Sequence, residues 1–83
     1  PMETALALKK LIDVFGMTQE AVAEKVGKKR STVANYLRLL TLPKQIQEGL
    51  SKGEITMGHA KAILSLEGAE LQKQLHEMIL RTQ

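Results

Sequence analysis

Arg30, Ser31, Thr32, Asn35 and Arg38 fall on one short stretch of the chain, and every one of these side chains can donate a hydrogen bond. On a helix their spacing keeps them off the apolar stripe formed by Val33, Leu37 and Leu40. A face of this kind suits the major groove of a nucleic-acid duplex. There an Arg bridges guanine O6 and N7, an Asn pairs with an adenine edge, and a Ser or Thr takes a base or a phosphate. Lys28 and Lys29, immediately before the helix, suit backbone phosphates. The plain alternative is a polar, solvated helix face.

Charge is distributed unevenly along the chain, and by itself it suits a solvated basic face as well as a binding face. The 83-residue chain carries a formal net charge of +3, with twelve basic and nine acidic residues. Six of the basic residues (Lys25, Lys28, Lys29, Arg30, Arg38 and Lys44) lie between Lys25 and Gln47, where no acidic residue occurs. The rest of the chain is net negative. Positive field confined to one third of a chain points to a polyanionic partner for that third.

The elements that position this face are helices. Leu8, Leu11, Ile12 and Phe15 repeat at one helical face, and Gly16 follows where a left-handed cap belongs. Thr18 is a natural N-cap for a second helix over Gln19–Val26, with Glu20 near its positive end and Gly27 closing it. The third helix runs from about Arg30 to Leu40. Pro43 opens a fourth, which Gly53 closes, and Thr56 caps a fifth containing His59, Ala60, Ile63 and Leu64. After a break at Gly68, Leu71, Leu75, Met78 and Ile79 mark one face of a sixth. No strand-like alternation occurs. The expected fold is all-α, a compact bundle of about six short helices in a single domain over residues 1–83.

The pairing of the second and third helices is the informative part. Two short helices crossing steeply need a small residue at closest approach and a residue tolerant of positive φ in the turn. Ala23 and Gly27 supply these, and Val33 follows Gly27 by six residues. Val22, Val26, Val33 and Leu37 complete the apolar contact. This is the spacing of a helix-turn-helix from about Thr18 to Leu40. The first amides of the second helix, with Thr18 and Gln19, offer a further phosphate contact.

Enzyme chemistry finds little support. Glu20 and Glu24 lie one turn apart with no polar constellation around them, no nucleophile–base pair can be assembled, and metal-ligand spacing is absent. The chain has no cysteine, so it holds neither a disulfide framework nor a thiolate site. No apolar run approaches the roughly 20 residues that span a bilayer. These features suit a cytoplasmic protein. The first residue is Pro1, as in a piece of something longer.

At these residues the chain resembles the central DNA-binding domain of the ParB (Spo0J/Noc) family of partition proteins. Lys28–Leu40 resembles the family's recognition segment, and Leu42-Pro43 with Ile46 and Leu50 resembles its next helix. Thr56-Met-Gly-His-Ala-Lys-Ala-Ile-Leu64 is similar to the family signature Ser-Met-Gly-His-Ala-Arg-Ala-Leu-Leu, and Pro1-Met-Glu-Thr-Ala5 to the run that opens the domain. The likeness spans roughly Pro1 to Glu67.

The resemblance implies sequence-specific binding of parS, a palindromic centromere-like site in double-stranded DNA, with one domain on each half. It implies a nucleoid-associated, homodimeric parent that works in chromosome or plasmid partition with a ParA-type ATPase. A plasmid repressor or nucleoid-occlusion factor on the same domain is the neighbouring possibility, and a helical protein adaptor using the Leu71/Leu75/Ile79 face the more distant one. CTP and Mg are implied only for the full-length parent. The family's nucleotide-binding arginine motifs have no counterpart here, so no cofactor and no catalytic activity are expected of this chain.

Two departures matter. Lys29 stands where the family usually has Ser, losing an N-cap worth about 1 kcal/mol and gaining a phosphate-seeking charge. Lys61 stands where Arg is usual, which favours a phosphate contact over base reading. The Gly-His-Ala-Lys context places His59 towards DNA beside Thr56, against the ordinary expectation of a satisfied histidine. Gly58 sits inside a helix, where close approach of DNA or of a neighbouring helix would account for it. Tyr36 either stacks on DNA or packs half-buried against the first helix. His76 is expected to be solvated, and Met17, Met57 and Met78 to fill core. The DNA-facing set is thus Thr18, Gln19, Lys28, Lys29, Arg30, Ser31, Thr32, Asn35, Tyr36, Arg38, Thr56, Gly58, His59 and Lys61.

Overall fold

The computed structural model describes residues 1–82 and, among them, six α-helices and no strand. They fall into two compact units, residues 1–40 and residues 41 onward.

The first unit contains α1 (Met2–Asp13), α2 (Gln19–Val26) and α3 (Arg30–Leu39). α3 packs on both α1 and α2. Leu8, Val22, Ala23 and Val33 form the buried centre, with Leu11, Ile12, Met17, Tyr36 and Leu37 packed around it. Ala23 is 5% exposed, so the small side chain does lie in the packed interior. The turn is built by Gly27, which adopts a left-handed conformation (φ 69°) that costs other residues strain. The Lys28 N–H then donates back to the Ala23 carbonyl at 2.9 Å, the closing bond of a Schellman cap.

Three expectations fail in this unit. Phe15 is 65% exposed, because α1 ends at Asp13 and Gly16 (φ 67°) turns the chain away from the helix face. Met17 supplies a core contact in its place. Val26, at the last residue of α2, lies outside the core and is exposed. On α3, Leu39 is the fully buried leucine, whereas Leu37 and Leu40 are half-buried.

The second unit contains α4 (Lys44–Ser51), α5 (Met57–Leu64) and α6 (Ala69–Thr82). α5 packs against α4 and against α6. Ile46, Leu50, Ile55, Ala60, Ile63 and Leu64 are buried. On α6 the expected face is met at Leu75 and Ile79 and missed at Leu71 and Met78. Leu71 and Met78 are exposed, and the covered positions are Gln72, Leu75, His76 and Ile79. These also obey helical spacing, but two of them are polar, so an apolar count overlooks them. His76 is buried rather than solvated, and its Nε2 has no hydrogen-bond partner. A Cβ on Gly49 would stand 3.0 Å from that nitrogen, so the glycine makes the room the imidazole occupies.

Candidate nucleic-acid interface

Three features converge where α3 begins. Lys28 and Lys29 are exposed in the turn, and Arg30 is exposed at the first helical position. Lys29 holds the N-cap position in an extended conformation (φ −72°, ψ 149°) but makes no side-chain cap bond. The first turn of α3 has no acidic residue. Cations at a helix N-terminus oppose the macrodipole, each at a cost of about 0.3–1 kcal/mol. The start of α3 therefore breaks the rules of helix design at consecutive residues, and an approaching polyanion offsets those costs by pairing with the cations and with the uncapped N–H groups. The N-termini of α2 and α5 are capped by the side chains of Thr18 and Thr56, whereas α4, opening on Lys44 behind Pro43, is uncapped like α3 but lacks its run of three cations.

Beyond Arg30 the outward face of α3 continues with Ser31 and Arg38 exposed and Thr32 and Asn35 half-buried. None of them is covered as Val33 is. The ring of Tyr36 packs on the core of the unit, the half-buried alternative of the two expected for it.

At the start of α2, the Thr18 hydroxyl accepts from the Ala21 N–H at 3.1 Å. The N–H groups of Gln19 and Glu20 occupy the first two helical positions and have no partner within the helix. Thr18, Gln19, Glu20 and Arg30 line one open hollow, which joins the N-terminus of α2 to that of α3. Glu20 is the member the sequence did not assign to this site. Its carboxylate opposes an anion here, so Arg30 is the group in the hollow able to offset it.

Thr56, Gly58, His59 and Lys61 belong to α5 and its cap in the second unit. Thr56, Gly58 and Lys61 are exposed, and His59 is half-exposed. Thr56 and His59 form a reciprocal capping box. The His59 N–H donates to Thr56 Oγ1 and the Thr56 N–H donates to His59 Nδ1, both at 3.1 Å. The signal for this lay in the spacing, since Thr-x-x-His puts the imidazole at the position where Glu or Gln completes such a box.

Among the described residues no group of three or more His, Asp or Glu could hold a metal ion, and no helix is long and apolar enough to cross a membrane.

A small-residue crossing, a left-handed glycine turn and an exposed cationic second helix define a helix-turn-helix protein. The model of the ParB HTH domain matches residues 1–83. The chain belongs to that family. It is 63% identical over 81 residues to a probable chromosome-partitioning protein ParB of Chlamydia pneumoniae, covering 98% of this chain and 28% of the relative. It is 45% identical over 83 residues to a nucleoid occlusion protein of Geobacillus thermodenitrificans, covering all of this chain and 30% of that one. The chain thus spans under a third of these curated relatives. Among solved structures, it superposes on the C-terminally truncated chromosome-partitioning protein ParB from Caulobacter crescentus complexed to the centromeric parS site. The TM-score is 0.82 at 41% identity, covering 99% of this chain and 43% of that one. The same protein complexed with CTP-gamma-S gives a TM-score of 0.75 at 47% identity over 89% of this chain and 42% of that one.

Proposed function

We propose that residues 1–83 serve as one DNA-binding domain that recognises half of a palindromic parS site in chromosome or plasmid partition. The observation that carries this is the start of α3, where Lys28, Lys29 and Arg30 crowd the positive end of a helix lacking acidic residues. Similarity to the Caulobacter protein complexed with parS supports the same assignment. In this reading Arg30, Ser31, Thr32, Asn35 and Arg38 face the major groove. Lys28, Lys29, Thr18, Gln19 and Lys61 hold phosphates, and Thr56, Gly58 and His59 face the duplex from α5. Tyr36 contributes by supporting α3.

The parent is then a nucleoid-associated homodimer acting with a ParA-type ATPase, and CTP with Mg belongs to the parent beyond these residues. The hollow at α2 does not fit a triphosphate, since it offers one arginine and sets the Glu20 carboxylate beside it. The 45% identity to a nucleoid occlusion protein favours, as the second reading, a nucleoid-occlusion factor built on the same domain.

Fluorescence anisotropy with a parS duplex and a scrambled duplex, across a salt series, tests the proposal. Preference for parS and a steep fall of affinity with salt are expected, because each phosphate neutralised adds about 0.9 to the log–log slope. Equal affinity for both duplexes at every salt would defeat the specific reading.

Lys29→Ser separates two contributions of opposite sign. A serine at this N-cap is expected to stabilise α3 by about 1 kcal/mol. Loss of the charge is expected to weaken binding to parS and scrambled duplexes alike and to lower the salt slope by about one. A thermal melt and the salt series read the two effects. A selective loss on parS alone would move Lys29 from phosphate to base contact.

A further inference from the structure

His59 has two ring nitrogens, and the fold has already committed one of them. Nδ1 accepts the Thr56 N–H at 3.1 Å, so it carries a lone pair and not a proton. The proton of the neutral imidazole therefore sits on Nε2, and the ring's remaining polar atom is a donor. The ring is half-exposed.

Gly58, its neighbour, is a helical residue without positive φ. A glycine there loses helix propensity for no conformational gain. Nor does packing require it. Apart from its own helix backbone and its chain neighbours, a Cβ at Gly58 would meet only Thr56 Oγ1, at the ordinary contact distance of 3.6 Å. Gly49 makes the contrast, since its missing Cβ is needed by His76. The neighbouring-helix explanation for Gly58 thus falls away, and close approach from outside the chain remains.

We propose that His59 is an obligate Nε2–H donor to an acceptor on duplex DNA, its tautomer fixed by the Thr56 backbone N–H, and that Gly58 is bare so that the duplex can close over this turn. The inference rests on the DNA-binding reading above and adds to it the atom, the direction of the hydrogen bond and the reason for the glycine. Thr56 is then a positioning residue for His59 as well as a helix cap.

The test uses the whole chain. Imidazole 15N NMR of the free protein is expected to show the Nε2–H tautomer, and a saturating parS duplex is expected to shift the Nε2–H signal and protect it from exchange. His59→Gln keeps both an acceptor for the cap and an outward donor. It is expected to bind within about 3-fold of the unaltered chain, whereas His59→Ala loses about 5-fold or more, as for one hydrogen bond. Gly58→Ala is expected to raise Tm by about 2–8 °C while lowering affinity about 10-fold. Opposite signs in one variant exclude unfolding as the cause. Loss on both duplexes identifies a phosphate oxygen as the acceptor, and loss on parS alone a base. The Nδ1–H tautomer, an unmoved Nε2–H signal in the saturated complex, equal weakness of Gln and Ala, or undiminished binding by Gly58→Ala would each overturn it. Absence of any duplex binding by the unaltered chain would instead remove the reading underneath.

Discussion

Arg30→Ala is expected to weaken binding to parS by about 1–3 kcal/mol, or about 5- to 150-fold, and to flatten discrimination against single base changes in the half-site. Arg30 is the first residue of α3 and is exposed, and it is not among the residues that form or flank the core of the first unit. Its truncation should leave Tm unchanged or slightly raised, because a cation leaves the positive end of the helix. The loss on a scrambled duplex should be smaller, about what one phosphate contact provides. Anisotropy on both duplexes, with a thermal melt alongside, distinguishes the outcomes. If parS and scrambled DNA lost affinity equally, Arg30 would be a second Lys29, and base reading would fall to Ser31, Asn35 and Arg38.

The helices that hold this face could be read from residue types. Helix limits were legible because the chain marks them chemically, with Thr18 and Thr56 as caps and Gly16, Gly27, Gly53 and Gly68 at positive φ. The α2–turn–α3 geometry followed from Ala23 and Gly27, whose sizes and conformations admit few alternatives. What stayed illegible was burial at helix ends. Phe15 continues an apolar periodicity, but periodicity carries no information about where the helix stops presenting a face. On α6 the covered stripe contains Gln72 and His76, and a polar residue is credited to the surface unless something marks its partner. Gly49 is that mark, yet a distant glycine and a histidine give no signal of their contact before the fold brings them together. The two units were illegible for a similar reason, since short connections between helices say nothing about which helices share contacts.

Ile63→Ala carries the largest expected loss of stability. Ile63 is 0% exposed on α5, the helix that contacts both α4 and α6. Removing its branched side chain takes away its transfer free energy and leaves a cavity, together about 2–5 kcal/mol. Two features place the expected value towards the upper part of that range. The second unit has no aromatic residue able to swing into the space, because the chain's one Phe and one Tyr, Phe15 and Tyr36, both lie in the first. Ile63 is also among the largest fully buried side chains, so its truncation removes atoms that are wholly enclosed. Native-state hydrogen exchange gives the sharper readout. Amides of α4, α5 and α6 should lose protection by the full destabilisation, and those of α1 to α3, around Val22 and Val33, should lose less. A denaturation midpoint displaced by less than about 1 kcal/mol would show that the site collapses onto the missing atoms, and a uniform loss across all six helices would show one cooperative core in place of two.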